Sequence, residues 1–169
     1  MDYRTELMRL IDRFNVGSVE EFKEAEALIV KDSKFASITK KKDYDGHIRI
    51  LKKVKTNAQK LDPKAVKIPE SDSETLELRK AFEKCLVIFS GVCDSYIQMQ
   101  TALKDKAAGV ELKYSQFKQI NQKVRFARAS LNENMHEMDV LYSDFIQFGE
   151  GNEEEDLGGV EYKTYDSFL

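Results

Sequence analysis

The sequence predicts an all-α fold: an antiparallel helical bundle built on a long helical hairpin. Apolar residues recur at alternating steps of four and three in residues 71–107 and again in residues 112–148. This spacing is that of one continuous seam along a helix. A short turn around Gly109 separates the two halves, and the 169 residues contain only eight glycines and two prolines. Both observations favour long uninterrupted helices.

The two seams also match each other in register. If the chain turns back at Gly109, each apolar residue of the first arm faces an apolar residue of the second. Each arm would be roughly 55 Å long at about 1.5 Å per residue. The predicted facing pairs are Leu78 with Tyr142, Phe82 with Met138, Cys85 with Met135, Phe89 with Leu131, Val92 with Ala127, Tyr96 with Val124, Met99 with Ile120 and Leu103 with Phe117.

The centre of the first arm, from Cys85 to Cys93, is apolar on nearly every side. One partner helix cannot cover such a segment, and it is far shorter than the roughly 20 residues that span a bilayer. We therefore expect further helices to pack on it. Gly91 lies opposite small residues of the second arm, which predicts either a close approach of the two backbones or a kink at Ser90-Gly91.

Three shorter N-terminal helices are predicted to supply this cover, over residues 2–15, 18–36 and 47–61. The first should end near Asn15-Val16-Gly17, because glycine commonly follows a helix end. Ser18 and Glu21 then form a capping box at the start of the second helix. A serine cap at Ser71 or Ser73 is expected to start the hairpin.

The domain organisation follows from this pattern. Residues 1–148 form one helical-bundle domain, and residues 149–169 form an acidic tail with one lysine against seven carboxylates. Such a segment cannot bury enough surface to order itself, yet it ends in apolar and aromatic side chains. We predict that these bind a protein partner; the alternatives are that the tail folds back onto its own bundle or is disordered. The predicted docking residues are Tyr162, Tyr165, Phe168 and Leu169.

A basic segment lies in the middle of the chain. Residues 31–67 carry twelve basic and four acidic groups, although the whole chain has a net charge of −3. A lysine-rich helix face can bind phosphates by releasing counterions, and it can equally be an ordinary solvated face. The candidate nucleic-acid-binding residues are Lys40, Lys41, Lys42, Arg49, Lys52, Lys53 and Lys55.

Catalytic and metal-binding patterns are weak. Glu133 and His136 match one Glu-x-x-His element of a di-metal bundle, but such a site needs a second copy, and the chain has only two histidines. One stretch, residues 41–52, partly matches a calcium-binding loop. Its first and last ligand positions are Lys41 and Lys52, and cations there exclude calcium binding. Cys85 and Cys93 are interpreted as reduced core residues. We expect no enzymatic activity, no metal and no cofactor.

The Tyr-x-x-x-Asp pattern of Tyr162 and Asp166 is similar to the C-terminal export signal of substrates of bacterial type VII secretion. Those proteins are helical hairpins, so the resemblance implies a link to that secretion route. The Trp-x-Gly turn usual in that family is absent, since the chain has no tryptophan.

The sequence thus predicts a non-enzymatic protein–protein interaction module, acting as an adaptor, assembly factor or subunit. Nucleic-acid association and the secretion link are the alternatives. We expect a protein partner and no membrane partner, and a homo-oligomer stays open. Because no long apolar segment exists and the chain starts with an amphipathic helix rather than a signal peptide, we expect a cytoplasmic location.

Overall fold

The computed structural model describes residues 2–34 and 42–149, and all regular secondary structure within them is helical. The predicted all-α bundle on a long hairpin is confirmed. The elements are α1 (Tyr3–Arg13), a π-helical turn (Phe14–Val19), α2 (Glu20–Lys34), α3 (Tyr44–Gln59), a 3-10 turn (Pro63–Ala65), α4 (Ser73–Ala107) and α5 (Tyr114–Gly149).

Helices α4 and α5 form the hairpin, with ends within two residues of those predicted. Lys84 Nζ lies 3.1 Å from Glu137 Oε2, and the Cys85 thiol donates to the Asn134 carbonyl oxygen at 3.2 Å. Both contacts agree with the register expected from the facing seams. Gly109 has φ +95°, a conformation that glycine adopts without the strain of a side chain, and this allows the turn.

Helices α1 and α2 are joined by the π-helical turn into one element, residues 3–34, which we call the N-terminal rod. It runs parallel to α4, because Tyr3 donates to Asp72 at one end and Glu26 accepts from Tyr96 towards the other. The rod and α4 meet through an aromatic layer of Phe14, Phe22, Phe82, Phe89 and Tyr96, whose neighbouring rings lie 5.2–5.6 Å apart.

Helices α3 and α5 run antiparallel to the rod and to α4, completing a four-helix arrangement. On α3, Lys53 contacts Glu21 of the rod. On α5, Arg128 pairs with Glu26 of the rod. The core therefore lies between the rod, α3, α4 and α5. Of these four elements, α3 is by far the shortest. No helix among the described residues is long and apolar enough to cross a membrane.

The predicted end of the first helix at Asn15-Val16-Gly17 is wrong, and so is the Ser18–Glu21 capping box. The chain stays helical through Phe14–Val19, and Ser18 is a buried residue of the π-helical turn rather than a cap. The physical reason is burial: Phe14, Ser18 and Phe22 follow one another at steps of four and keep one face on the core. Tertiary packing thus outweighs the local signals of Gly17 and Ser18.

The cap of α4 is Asp72, not Ser71 or Ser73. Its carboxylate accepts from the Thr75 amide at 3.2 Å and the Thr75 hydroxyl at 2.8 Å. It also accepts from Tyr3 at 3.0 Å and from Arg4 Nη2 at 2.8 Å. Burial acts to raise the pKa of Asp72, but the hydrogen bonds from Thr75, Arg4 and Tyr3 outweigh it and lower the pKa to about 2. The aspartate therefore joins the start of the rod to the start of α4.

Gly91 does not mark a close approach of the two arms. A Cβ placed there would meet nothing within 4 Å, and α4 runs without a break through Ser90 and Gly91. The predicted close backbone contact is therefore wrong. Gly91 instead lies on the exposed face of α4.

Candidate interaction surfaces

A groove lies beside α4 at the point where α3 ends. Helix α3 has 16 residues and α4 has 35, so part of α4 is flanked by the connection after Gln59 rather than by a helix. The groove has a volume of ≈ 690 Å³. We call it the α3–α4 groove; its lining includes Leu61, Pro63, Lys64, Lys80, Lys84, Leu86 and Val87.

The apolar residues that line the α3–α4 groove are partly open to solvent. Val87 is 74% exposed, although its neighbours Cys85 and Phe89 are fully buried. The apolar centre of α4 is thus covered by the N-terminal helices on most sides and left uncovered at Val87. Single exposed apolar side chains are common on protein surfaces, but this one lies in a concave site, which is where binding surfaces are usually found.

The rim of the groove carries lysines that are unpaired or only weakly paired. Lys80 has no hydrogen-bond or ion-pair partner among the described residues. Lys64 reaches Glu83 only at 4.0 Å, and Glu83 also lies 3.4 Å from Arg79. Lys84 pairs with Glu137 on α5 at the surface. Exposed pairs of this kind contribute only about 0.2–1 kcal/mol, so an incoming carboxylate can replace them.

The structure divides the basic residues predicted to bind nucleic acid. Arg49, Lys52 and Lys53 lie on the exposed face of α3. Lys53 pairs with Glu21 at 3.3 Å, whereas Arg49 and Lys52 have no such partner in the described part of the chain. Lys55 is separate from this group, because it is half-buried and contacts both carboxylate oxygens of Asp94 at 2.7 Å.

Of the other residues predicted to bind nucleic acid or a protein partner, the structure describes only Lys42. Lys42 is half-buried just before the cap of α3. Lys40 and Lys41 lie outside the described residues, as do Tyr162, Tyr165, Phe168 and Leu169 and the Tyr-x-x-x-Asp pattern. The acidic tail was predicted to start at Gly149, which the structure describes as the last residue of α5.

A half-buried ion pair joins the rod to α5. Arg128 Nε and Nη2 each lie 3.1 Å from a Glu26 oxygen, and the Arg128 guanidinium lies 5.6 Å from the centre of the Phe22 ring. Tyr96 donates its hydroxyl to Glu26. Burial, and then the Glu26 carboxylate, raise the pKa of Tyr96, so this hydroxyl keeps its proton. The cluster joins three elements, the rod, α4 and α5.

Both cysteines and His47 are held in the packing, whereas His136 is exposed on α5. Cys85 and Cys93 are free and buried, as predicted, and burial raises the pKa of each thiol to about 12. Thiols in this state are poor nucleophiles. His47 is buried with its ring nitrogens 3.0 Å from Gln100 Oε1 and 3.1 Å from Asp32 Oδ2. Within the described residues, no group of three or more His, Cys, Asp or Glu side chains could hold a metal ion.

Sequence reasoning missed Val87, Lys80 and Lys84 as members of one groove. The length difference between the predicted third helix and the hairpin arm was the available signal, but it does not show which face of α4 stays open. No protein-family model, curated protein or solved structure matches the chain. Function is therefore inferred from the surfaces themselves.

Proposed function

We propose that this chain is a non-enzymatic protein–protein interaction module, and that the α3–α4 groove is its docking surface. The observation that supports this most strongly is Val87, which is 74% exposed and lines a ≈ 690 Å³ groove. Leaving a large apolar side chain in water costs stability that burial against a partner would recover. The module would act as an adaptor, an assembly factor or a subunit.

The chemistry of the groove selects the partner. Lys64, Lys80 and Lys84 at the rim favour carboxylates, and Leu86 and Val87 offer apolar contact. The groove also contains Asp62, which accepts from the Lys64 amide at 3.1 Å, and Glu83, which lies 3.4 Å from Arg79, so its lining has three lysines against two carboxylates. The groove therefore fits an acidic peptide that also carries aromatic or aliphatic side chains.

Selection of a random peptide library against the full chain tests this proposal. We expect enrichment of peptides that combine Asp or Glu with aromatic residues. Their affinity should fall about tenfold for the Lys80→Glu/Lys84→Glu variant, because both reversed charges then repel the peptide. The Val87→Asp variant should weaken binding as well, since it removes an apolar contact from the lining of the groove and adds a negative charge that repels an acidic peptide.

The matched control is Lys118→Glu/Lys123→Glu, which makes the same change in net charge at exposed positions of α5. This variant should bind the selected peptides as the unchanged chain does. Peptides that bind the groove variant and the control equally well would show that the groove is not the docking surface. Failure to enrich acidic peptides would contradict the proposed partner chemistry.

The exposed face of α3 supports a second candidate function, which is association with nucleic acid. Arg49 and Lys52 point outward without a partner among the described residues, and Lys60 continues the exposed face. Such cations bind phosphates by counterion release, so the affinity falls steeply with salt. A labelled duplex should then shift with the full chain at low salt and not with Arg49→Glu/Lys52→Glu. No shift at low salt would exclude this function.

A further inference from the structure

We infer that the chain's own C-terminal segment, residues 150–169, binds the α3–α4 groove and competes there with the external partner. This inference rests on the proposed function and names the regulation of the same site. It would make the module self-masking: the groove opens to a partner only when the segment is displaced.

The segment has the chemistry that the groove fits. Residues 150–169 carry seven carboxylates and one lysine, and their last ten residues include Tyr162, Tyr165 and Phe168. The groove offers three rim lysines and an exposed Val87. Acidic groups and large apolar side chains thus occur together in the segment, as the groove requires of an occupant.

The fold places the start of the segment at the correct end of the bundle. Phe145 is buried near the end of α5 and lies against Arg4, with 5.2 Å from the guanidinium carbon to the ring centre. Arg4 in turn binds Asp72, the cap of α4. Because α5 is antiparallel to α4, the chain leaves α5 beside the first turn of α4. The Lys84–Glu137 pair shows that α5 also borders the face of α4 on which the groove lies.

The remaining distance is short for the chain available. Position 87 is fifteen residues beyond Asp72, a rise of about 22 Å along the helix. The twelve residues between Gly149 and Tyr162 can span up to about 40 Å when extended. Tyr162 and the residues after it can therefore reach Val87 of the same molecule.

Covalent attachment makes even a weak contact sufficient. A short tether gives an effective concentration on the order of 1 mM, so an intrinsic Kd of about 0.1 mM would keep the groove about 90% occupied. An external peptide must then bind about tenfold more tightly than it would to an open groove to reach the same occupancy.

Photocrosslinking of the full chain tests the inference. A p-benzoylphenylalanine replaces Val87, which is exposed enough to accept it, and a second protein carries the same group in place of Phe126, which is 82% exposed on α5. After irradiation at low micromolar concentration, mass spectrometry should find intramolecular crosslinks from position 87 to residues 150–169 and few from position 126. Adding Lys80→Glu/Lys84→Glu should weaken the contact about tenfold, which lowers the occupancy from about 90% to about 50% and the crosslink yield from position 87 about twofold.

Equal yields from positions 87 and 126, or no crosslink from position 87 to residues 150–169, would overturn the inference. Crosslinked dimers that increase with protein concentration would also overturn it, because the segment would then bind a second copy. A second measurement uses Tyr162→Ser/Tyr165→Ser/Phe168→Ser: the full chain should bind the selected peptides about tenfold more tightly once its own segment no longer competes. Selected peptides that bind the groove without any crosslink from position 87 would leave the proposed function standing and remove only the self-masking.

Discussion

Replacing Gly91 with alanine should stabilise the protein. In a helix interior, glycine is less favourable than alanine by about 0.8–1.0 kcal/mol, because glycine loses more backbone freedom on folding. A new Cβ at position 91 would meet nothing within 4 Å, so no steric cost opposes this gain. The free energy of unfolding should rise by about 0.5–1 kcal/mol, measured by urea denaturation, with the melting temperature rising by about 1–4 °C.

The matched control is Gly46→Ala in the first turn of α3. A Cβ there would lie 2.1 Å from Asp43 Oδ2, the side chain that accepts from the Gly46 amide at 2.9 Å. The cap must then move, and the free energy of unfolding should fall by about 0.5–2 kcal/mol. If Gly91→Ala is neutral or destabilising, this face of α4 is not open, and the description of the neighbouring groove is refuted with it.

Further predictions concern the core and the two polar clusters. Asp72→Asn should lower the free energy of unfolding by about 1–2 kcal/mol in urea, because the charged acceptor of Arg4 is lost. The folded pKa of Asp72 is about 2 and its ordinary value is 3.8. The stabilisation that Asp72 contributes is therefore present above about pH 4 and lost as the pH falls towards 2. Acid unfolding followed by circular dichroism should show this loss for the unchanged chain and less of it for Asp72→Asn. Phe89→Ala should cost about 3–5 kcal/mol in the same urea assay, as expected for a fully buried aromatic residue, and a cost below 1 kcal/mol would contradict the aromatic layer. Glu26→Gln should cost about 1 kcal/mol by weakening the bidentate pair with Arg128, and an unchanged urea midpoint would show that the pair is not maintained in solution. Cys85 and Cys93 should react with a disulfide reagent at pH 8 far more slowly in the folded chain than in denaturant, and equal rates would contradict their burial.

The hairpin and its register could be predicted because they rest on many residues at once. Eight facing pairs share one turn, and chance rarely produces two seams that agree over such a length. The structure keeps this register at Lys84–Glu137 and Cys85–Asn134. Burial of one continuous apolar face is the largest stabilising term in such a helix, so a pattern that reports it is a strong guide.

Helix ends were predicted less well, because local signals compete with packing. Gly17 and Ser18 have the residue types of a helix end and a cap, yet burial of Ser18 between Phe14 and Phe22 keeps the chain helical. At the start of α4, three neighbouring residues could each act as the cap. Arg4 and Tyr3 from the distant N-terminus favour Asp72, which the local sequence cannot show.

The candidate surfaces could be predicted only in part, because they depend on how separate helices meet. The exposed positions of Arg49 and Lys52 follow from the apolar face of α3. The pairing of Lys55 with Asp94 requires the relative register of α3 and α4, which no turn residue fixes. The exposure of Val87 depends on where α3 stops beside α4, and this is a property of the assembled bundle.

Methyl NMR of the full chain tests most directly whether the α3–α4 groove binds an acidic aromatic peptide. The protein is Tyr162→Ser/Tyr165→Ser/Phe168→Ser, and the probe is a synthetic peptide with the original sequence of residues 150–169. We predict that the methyl signals of Leu86 and Val87 shift with added peptide, while those of Val140, 48% exposed on α5, stay in place. Shifts at Val140 with unchanged signals at Leu86 and Val87, or no shifts at all, would contradict the proposed docking surface.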